Sequence, residues 1–241
     1  MISRLQKSLI RRKIAFGIFH LDDSNNLLRD SNTAEIKTSM AGTWFDLKVK
    51  TVKIDSLAEL SYYSSREFEF SKLGYEYEGT RGWKLGELSI WIGNVLAWKK
   101  FLNSDFSYLI LFEDDVKLEK NFADLVHQTL LAAPKDWDVI SLFTPETESS
   151  KRKIANDLQK NLVPVFQDWS CLSYAVSKKG AKNLLESLVR EGEINQPIDW
   201  YLWRNIPKLN ILSLHPESLK PFSLLFTEST FQQKQVRSPI T

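Results

Sequence analysis

Two spacings of apolar residues recur along the chain, one typical of buried strands and one of helices. Short apolar runs occur at residues 14–19, 108–112, 138–143 and 171–176. Runs of this length between polar turns are typical of strands that are covered on both faces. Residues 48–54 alternate apolar with cationic side chains, which predicts a half-exposed edge strand.

Helical spacing is clearest from Leu85 to Phe101. Apolar residues recur there every three or four positions, at Leu88, Trp91, Ile92, Val95, Trp98 and Phe101. Residues 180–189 show the same spacing. Strands that alternate with helices predict an α/β fold, with a mixed and mostly parallel sheet covered by helices on both faces. Because the chain has no internal repeat, linker or low-complexity tract, we predict a single domain over residues 1–241.

Composition and charge argue against several classes of protein. The 32 Lys and Arg residues against 30 Asp and Glu give a net charge of +2, too small to indicate nucleic-acid binding. No apolar run approaches the roughly 20 residues that span a bilayer, and the first residues lack a secretory pattern, so a cytoplasmic protein is expected. Cys171 is the only cysteine, which argues against an internal disulfide or a thiolate zinc site.

The first 13 residues combine basic and apolar side chains at helical spacing. This pattern fits a helix that binds an anionic membrane surface, which would place the protein peripherally on the inner face of the cytoplasmic membrane. A solvated helix that packs through one apolar stripe explains the same pattern. Both interpretations of residues 1–13 stay open.

An acidic triplet, Glu113, Asp114 and Asp115, directly follows the apolar run 108–112. Adjacent carboxylates at the end of a buried strand repel one another and lose hydration, so they need nearby cations or donors. Open α/β sheets bind ligands at this end of their strands, and Mg²⁺ or Mn²⁺ is often held there by one or two carboxylates and substrate phosphates. Since side chains alternate along an extended chain, we expect Glu113 and Asp115 to face the same side. Alternatively, the triplet caps the following segment by accepting backbone N–H groups.

The surroundings of the triplet resemble a known family. Residues 86–98 read Gly-Glu-Leu-Ser-Ile-Trp-Ile-Gly-Asn-Val-Leu-Ala-Trp, and residues 108–116 read Tyr-Leu-Ile-Leu-Phe-Glu-Asp-Asp-Val. A helix with Gly-Glu before an apolar strand that ends in Glu-Asp-Asp-Val resembles glycosyltransferase family 25, which includes bacterial lipooligosaccharide and collagen galactosyltransferases. Three further segments resemble the family in the same order, at residues 19–24, 173–181 and 196–200. The resemblance extends over residues 14–230.

This resemblance implies a Rossmann-like GT-A type fold and transfer of a sugar, galactose in the members just named, from a UDP-sugar. The implied acceptor is a cell-surface glycan or glycolipid, such as lipooligosaccharide or capsule. Contacts to the nucleotide sugar are expected at His20, Leu21, Glu87, Glu113 and Asp114. Glu113, Asp115 and His215 are the expected ligands of Mn²⁺ or Mg²⁺.

Family 25 enzymes transfer with inversion, which requires a general base for the acceptor hydroxyl. Asp199 is the candidate, since it lies in a Pro-Val-Asp-like segment among aromatic residues that could raise its pKa by desolvation. The structural alternative is an Asp that caps a helix starting near Trp200. Trp169 and Trp200 flank polar turn residues and are candidates for stacking on a sugar ring.

Two departures from the family pattern leave the donor sugar open. Gly93 and Asn94 stand where the family usually has Ser-His, and Asp23 replaces an Arg, although Arg29 follows nearby. Two other functions are also open: a metal-dependent nucleotidyl or phosphoryl transferase, and a non-enzymatic or degenerate carbohydrate-binding protein. The first predicts a glycine-rich phosphate loop, and neither Gly-x-x-x-x-Gly-Lys nor Gly-x-Gly-x-x-Gly occurs. Hydrolysis of the donor by the purified protein would distinguish a glycosyltransferase from the second, non-enzymatic alternative.

Overall fold

A computed structural model describes about three fifths of the chain. The described residues are 13–20, 27–49, 51–54, 63, 69–71, 75–76, 80–116, 118, 122–142, 162–164, 171–204 and 208–214. The strands are β1 (Ile14–Phe19), β2 (Phe45–Asp46), β3 (Glu69–Phe70), β4 (Tyr75–Glu76), β5 (Thr80–Arg81), β6 (Tyr108–Glu113), β7 (Val139–Ser141), β8 (Leu162–Pro164), β9 (Ser173–Ser177), β10 (Glu193–Ile194) and β11 (Ile211–Leu214). The helices are α1 (Leu27–Met40), α2 (Leu85–Leu102), α3 (Phe122–Ala132), α4 (Lys178–Glu191) and α5 (Ile198–Arg204).

Seven strands form one sheet in the order β2-β1-β6-β9-β7-β11-β8. Strands β2, β1 and β6 are mutually parallel, and so are β7 and β11. Strand β9 is antiparallel to β6 and β7, and β8 is antiparallel to β11. Five of the seven strands therefore run in one direction, which confirms the predicted mixed, mostly parallel sheet. Two short ladders, β3 with β10 and β4 with β5, lie outside it.

Side chains alternate along the central strands and separate the core into two layers. On β6, Leu109 and Leu111 belong to the layer that contains residues of α2, α4 and α5. Ile110 and Phe112 belong to the opposite layer, with residues of α1 and α3. Helices cover both faces, so the apolar run of β6 is buried on both sides, as predicted for a Rossmann-like α/β fold.

Helix α2 is fixed to the sheet by polar as well as apolar contacts. The Trp98 indole donates to the Tyr174 hydroxyl at 3.0 Å, and that hydroxyl donates to Asn94 Oδ1. Tyr174 lies on β9, beside β6. Because buried polar groups fit only where their partners are in place, these bonds specify how α2 sits on β9.

The predicted strand at residues 48–54 is wrong. The edge strand β2 ends at Asp46, and residues 47–49 and 51–54 do not form a β-strand. Lys48 has a φ of 49°, a left-handed conformation that breaks a strand. The alternation instead reflects packing, since Val52 and Ile54 are buried and the Ile54 N–H donates to Ser89 Oγ on α2.

Several predictions fall on residues that the structure does not describe: residues 1–12, Leu21, Asp23, Trp169 and His215. Their roles stay predictions. In the described part of the chain, no helix combines the length and the apolar character needed to cross a membrane.

Candidate active site

The acidic triplet lies where three strands meet. Glu113 ends β6 and pairs in register with Phe19, the last residue of β1. Its N–H donates to the Leu172 carbonyl at 2.9 Å, just before β9. Asp114 and Asp115 follow in a turn and are buried. The carboxylates are thus at the carboxyl ends of β1 and β6, where open α/β sheets bind ligands.

Asp114 is held by groups from β1 and α1. His20 Nδ1 lies 2.9 Å from Asp114 Oδ2, and Arg29 Nε lies 3.6 Å from Asp114 Oδ1. Asn32 donates to the Asp114 carbonyl at 3.3 Å. His20 Nε2 also lies 2.9 Å from Asp30 Oδ1. The charge of Asp114 is therefore balanced within the protein, and its side chain connects the ends of β1 and β6 to the start of α1.

Glu113 has a different electrostatic setting. Its pKa is raised from 4.5 to about 8, chiefly by burial, then by the charges of Asp115, Asp199 and Asp114. Arg29 opposes the rise. The coupling with Asp199 indicates that this residue, remote in sequence, lies near Glu113. The acidic neighbours of Glu113, which Arg29 opposes only in part, therefore favour its protonated form in the absence of a cation.

Asp199 lies in the first turn of α5 and is partly buried. Burial is the main cause that raises its pKa from 3.8 to about 6, and the charge of Glu87 adds to the rise. The Trp200 N–H donates to Asp199 Oδ1 at 2.9 Å, and this hydrogen bond lowers the pKa of Asp199. Since α5 begins at Ile198, Asp199 is inside the helix and not at its N-cap, and the N–H that its carboxylate accepts belongs to the next residue, not to one two or three positions on as capping requires.

Glu87, a predicted nucleotide contact, serves the start of α2. Its Oε2 accepts the Lys84 N–H at 3.0 Å, the half of a capping box that a residue at the third helical position supplies. The charge of Glu87 also raises the pKa of Asp199. Glu87 therefore lies between the start of α2 and the start of α5.

Glu113 and Asp115 fit a hard divalent cation by their chemistry. Within the described residues, no three His, Cys, Asp or Glu side chains form a complete cage for a metal. Mg²⁺ and Mn²⁺ are commonly held by one or two carboxylates, with substrate phosphates and waters as the other ligands. The pKa of Glu113 is raised chiefly by burial and then by its acidic neighbours, and a bound cation would favour the ionised form.

Comparison with known proteins identifies the family. Residues 70–202, more than half of the chain, match the profile of glycosyltransferase family 25, described as an LPS biosynthesis protein family. The chain belongs to glycosyltransferase family 25. The matched stretch includes α2, β6, β9 and α4, and with them both Glu113 and Asp199.

Relatives within family 25 differ in what their names say of activity. Procollagen galactosyltransferase 1-A of Xenopus laevis is 30% identical over 123 residues, which cover 48% of this chain and 19% of that protein. Lipooligosaccharide biosynthesis protein lex-1 of Haemophilus influenzae is 29% identical over 114 residues, 43% of this chain and 37% of the relative. Human inactive glycosyltransferase 25 family member 3 is 28% identical over 105 residues, 42% of this chain and 18% of the relative. The chain matches well under half the length of each.

Gly93 and Asn94, which depart from the family pattern, are packing positions in this family 25 chain. A Cβ at Gly93 would lie 3.2 Å from Phe19 Cδ1, so any larger residue would displace the Phe19 ring. Asn94 is buried, donates to the Ile90 carbonyl and accepts from Tyr174. The substituted pair thus fits α2 against β1 and β9.

Some residues of the site were not predicted from the sequence. Arg29 was noted only as a neighbour of a lost Arg, and Asp30 and Asn32 not at all, because α1 is a largely polar helix without a motif. Trp200 is only 7% exposed, which leaves little ring face for a sugar. His127 is buried on α3.

Proposed function

We propose that this family 25 member is an inverting glycosyltransferase with a GT-A type fold, and that Asp199 is its general base. The observation that carries the proposal is the electrostatic coupling of Asp199, in the first turn of α5, to Glu113, the last residue of β6. A carboxyl group whose pKa is about 6 is mostly ionised at neutral pH, yet is a stronger base than an exposed aspartate. That combination suits removal of a hydroxyl proton during transfer.

In the proposed reaction, the acceptor hydroxyl oxygen attacks the anomeric carbon of the donor sugar. The bond from that carbon to the diphosphate breaks, its electron pair leaves with UDP, and the Asp199 carboxylate takes the hydroxyl proton. The Trp200 N–H holds Asp199 Oδ1 and so orients the carboxylate. Attack opposite the leaving group inverts the anomeric configuration.

The donor is proposed to bind at the triplet. Glu113 and Asp115 would hold Mg²⁺ or Mn²⁺, which would neutralise charge on the leaving diphosphate. His20, Leu21, Glu87 and Asp114 stay the proposed nucleotide-sugar contacts. Transfer of galactose to a glycan or glycolipid is supported by the names of the frog and Haemophilus relatives. Action in the cytoplasm, at the inner face of the membrane, is supported by the basic pattern of residues 1–13.

Asp199→Asn tests the proposal. UDP release from UDP-galactose and other UDP-sugars would be measured with Mn²⁺, and binding of UDP by calorimetry. We expect turnover to fall by roughly 10²–10⁴-fold while UDP affinity stays within a few-fold, because a base acts on the acceptor and not on the donor. A folded variant that transfers at nearly the parent rate would remove Asp199 from the mechanism.

A second candidate is a carbohydrate-binding protein without transferase activity, which the name of the human relative favours. Unlike the enzyme, it would bind UDP-sugars but release no UDP from any of them with Mn²⁺ or Mg²⁺ present. UDP release by the parent protein, lost in Asp199→Asn, would exclude this candidate.

A further inference from the structure

Trp91 on α2 contacts the chain on both sides of Asp199. Its indole N–H donates to the Gln196 carbonyl at 2.8 Å, before Asp199 in the sequence. After Asp199, the Tyr201 ring lies 4.9 Å from the Trp91 ring, centroid to centroid. We propose that Trp91 is a positioning residue that sets where Asp199 stands relative to Glu113. This inference rests on the proposed role of Asp199 as the acceptor base.

The segment that carries Asp199 needs such a support. Helix α5 has only seven residues, and helices of that length are not stable through their own hydrogen bonds. Upstream, the Ser71 N–H donates to the Ile194 carbonyl and fixes β10 against β3. Between that ladder and α5, the Trp91 bond holds the carbonyl of Gln196. Asp199 thus lies between the two Trp91 contacts, and the Tyr201 hydroxyl also donates to the Leu184 carbonyl on α4 at 2.7 Å.

Trp91 is itself tied to the strand that bears Glu113. Its side chain is fully buried, so the ring has no freedom to follow a shift of α5. Further along α2, Asn94 Oδ1 accepts from the Tyr174 hydroxyl on β9, and β9 pairs with β6. A continuous set of hydrogen bonds therefore runs from β6 through β9 and α2 to Gln196. Such a set can hold two carboxylates on different elements at a fixed separation.

Trp91→Phe tests the inference because it keeps an aromatic ring and removes the N–H donor. Trp98→Phe is the matched control: it lies on the same helix, is equally buried, and loses one indole bond to the Tyr174 hydroxyl, while the bond from Tyr174 to Asn94 remains. A displacement of about 1 Å at a catalytic group can cost up to about 10²-fold in rate. We expect Trp91→Phe to lower kcat by roughly 10- to 100-fold with an unchanged donor KM, and Trp98→Phe to stay within about threefold of the parent. Equal kcat values in the two variants, measured well below both Tm values, would overturn the inference.

A double variant separates this inference from the role of Asp199. If Trp91 acts through Asp199, adding Trp91→Phe to Asp199→Asn lowers kcat by less than about twofold more. Multiplicative losses would mean that Trp91 acts elsewhere. Should Asp199→Asn alone keep the parent activity, the proposed base fails, and positioning is then decided by NMR.

The NMR readout is the Trp200 amide, whose N–H donates to Asp199 Oδ1. Its chemical shift should move in Trp91→Phe and not in Trp98→Phe, whether or not the protein transfers sugar. If Trp91→Phe does not fold, benzothienylalanine at position 91 keeps the bicyclic shape and removes only the N–H. An unmoved Trp200 amide in the folded variant would refute the positioning role.

Discussion

The imidazole of His20 and the carboxylate of Asp114 meet with 2.9 Å between Nδ1 and Oδ2. The contact joins the residue after β1 to the residue after β6. Nε2 of the same ring lies 2.9 Å from Asp30 Oδ1. The two carboxylates are not equivalent, because the Asp114 side chain is 6% exposed and the Asp30 side chain 43%. Water can replace the ring at Asp30 but has little access to Asp114.

His20→Leu is therefore expected to destabilise the protein. The substitution leaves buried Asp114 Oδ2 without its ring donor, which costs about 1–3 kcal/mol of unfolding free energy. Asp30→Asn, the control, breaks only the exposed contact and should cost less than about 1 kcal/mol. Urea unfolding of both variants provides the measurement. Equal losses would show that the buried contact has no special weight.

Glu113 should make the ligand-free protein less stable as the pH rises. Its folded pKa, about 8, is above its ordinary value of 4.5, so folding favours the protonated form. The sign follows from linkage: between these values the unfolded chain releases the proton and the folded protein retains it, so stability falls as pH rises from 4.5 to about 8.

Thermal unfolding without metal or nucleotide tests this expectation. In Glu113→Gln, position 113 carries no ionisable group. The Tm of this variant should therefore fall less than the Tm of the parent between pH 5 and pH 8, and at pH 8 it should be the higher of the two. Parallel Tm profiles for the two proteins would contradict the raised pKa.

Local patterns in the sequence were sufficient for the central strands and for α2 and α4, but not for α1, α3 or β11, which also contribute to the core. The apolar spacing from Leu85 to Phe101 predicted α2 to within a residue, and the run 14–19 coincides with β1. Both follow from how side chains repeat along one element. At residues 48–54 the prediction failed because the alternation reflects burial of Val52 and Ile54 outside the sheet, after a turn in which Lys48 has a left-handed φ and its N–H donates to Asp46 Oδ1.

The candidate site also contains features that the sequence predicts and features that it does not. Consecutive carboxylates after a buried strand were visible in the sequence, whereas Asp199 was found only through the family resemblance. The contacts of Asp114 with His20 and Arg29 join segments remote in the chain. Such contacts depend on how β1, α1 and β6 assemble, so they became visible only in the folded structure.

Asp115→Asn is expected to abolish metal-dependent donor binding and transfer while the protein stays folded. It removes one of the two proposed ligand charges with little change in volume. Titration of Mn²⁺ in the presence of UDP provides the measurement, with the melting curve as a check on folding. Asp124→Asn, which changes an exposed carboxylate on α3, is the control and should behave as the parent does. Full Mn²⁺-dependent activity in Asp115→Asn would reject Asp115 as a ligand.

The rate of transfer should depend on the ionisation of Asp199. Only the carboxylate can accept the hydroxyl proton, and its pKa is about 6, so kcat/KM should rise with pH up to about 6 and level off above it. Each pH unit below the midpoint should lower the rate about tenfold. Glu87→Gln offers an independent check, because the charge of Glu87 raises the pKa of Asp199 while a glutamine oxygen can still accept the Lys84 N–H. The acidic limb in Glu87→Gln should therefore shift to lower pH, whatever change in donor KM follows from altering a proposed nucleotide contact, whereas residual transfer in Asp199→Asn should lack the limb. A profile in Asp199→Asn with the same acidic midpoint as the parent would assign the limb, and the proton transfer, to another group.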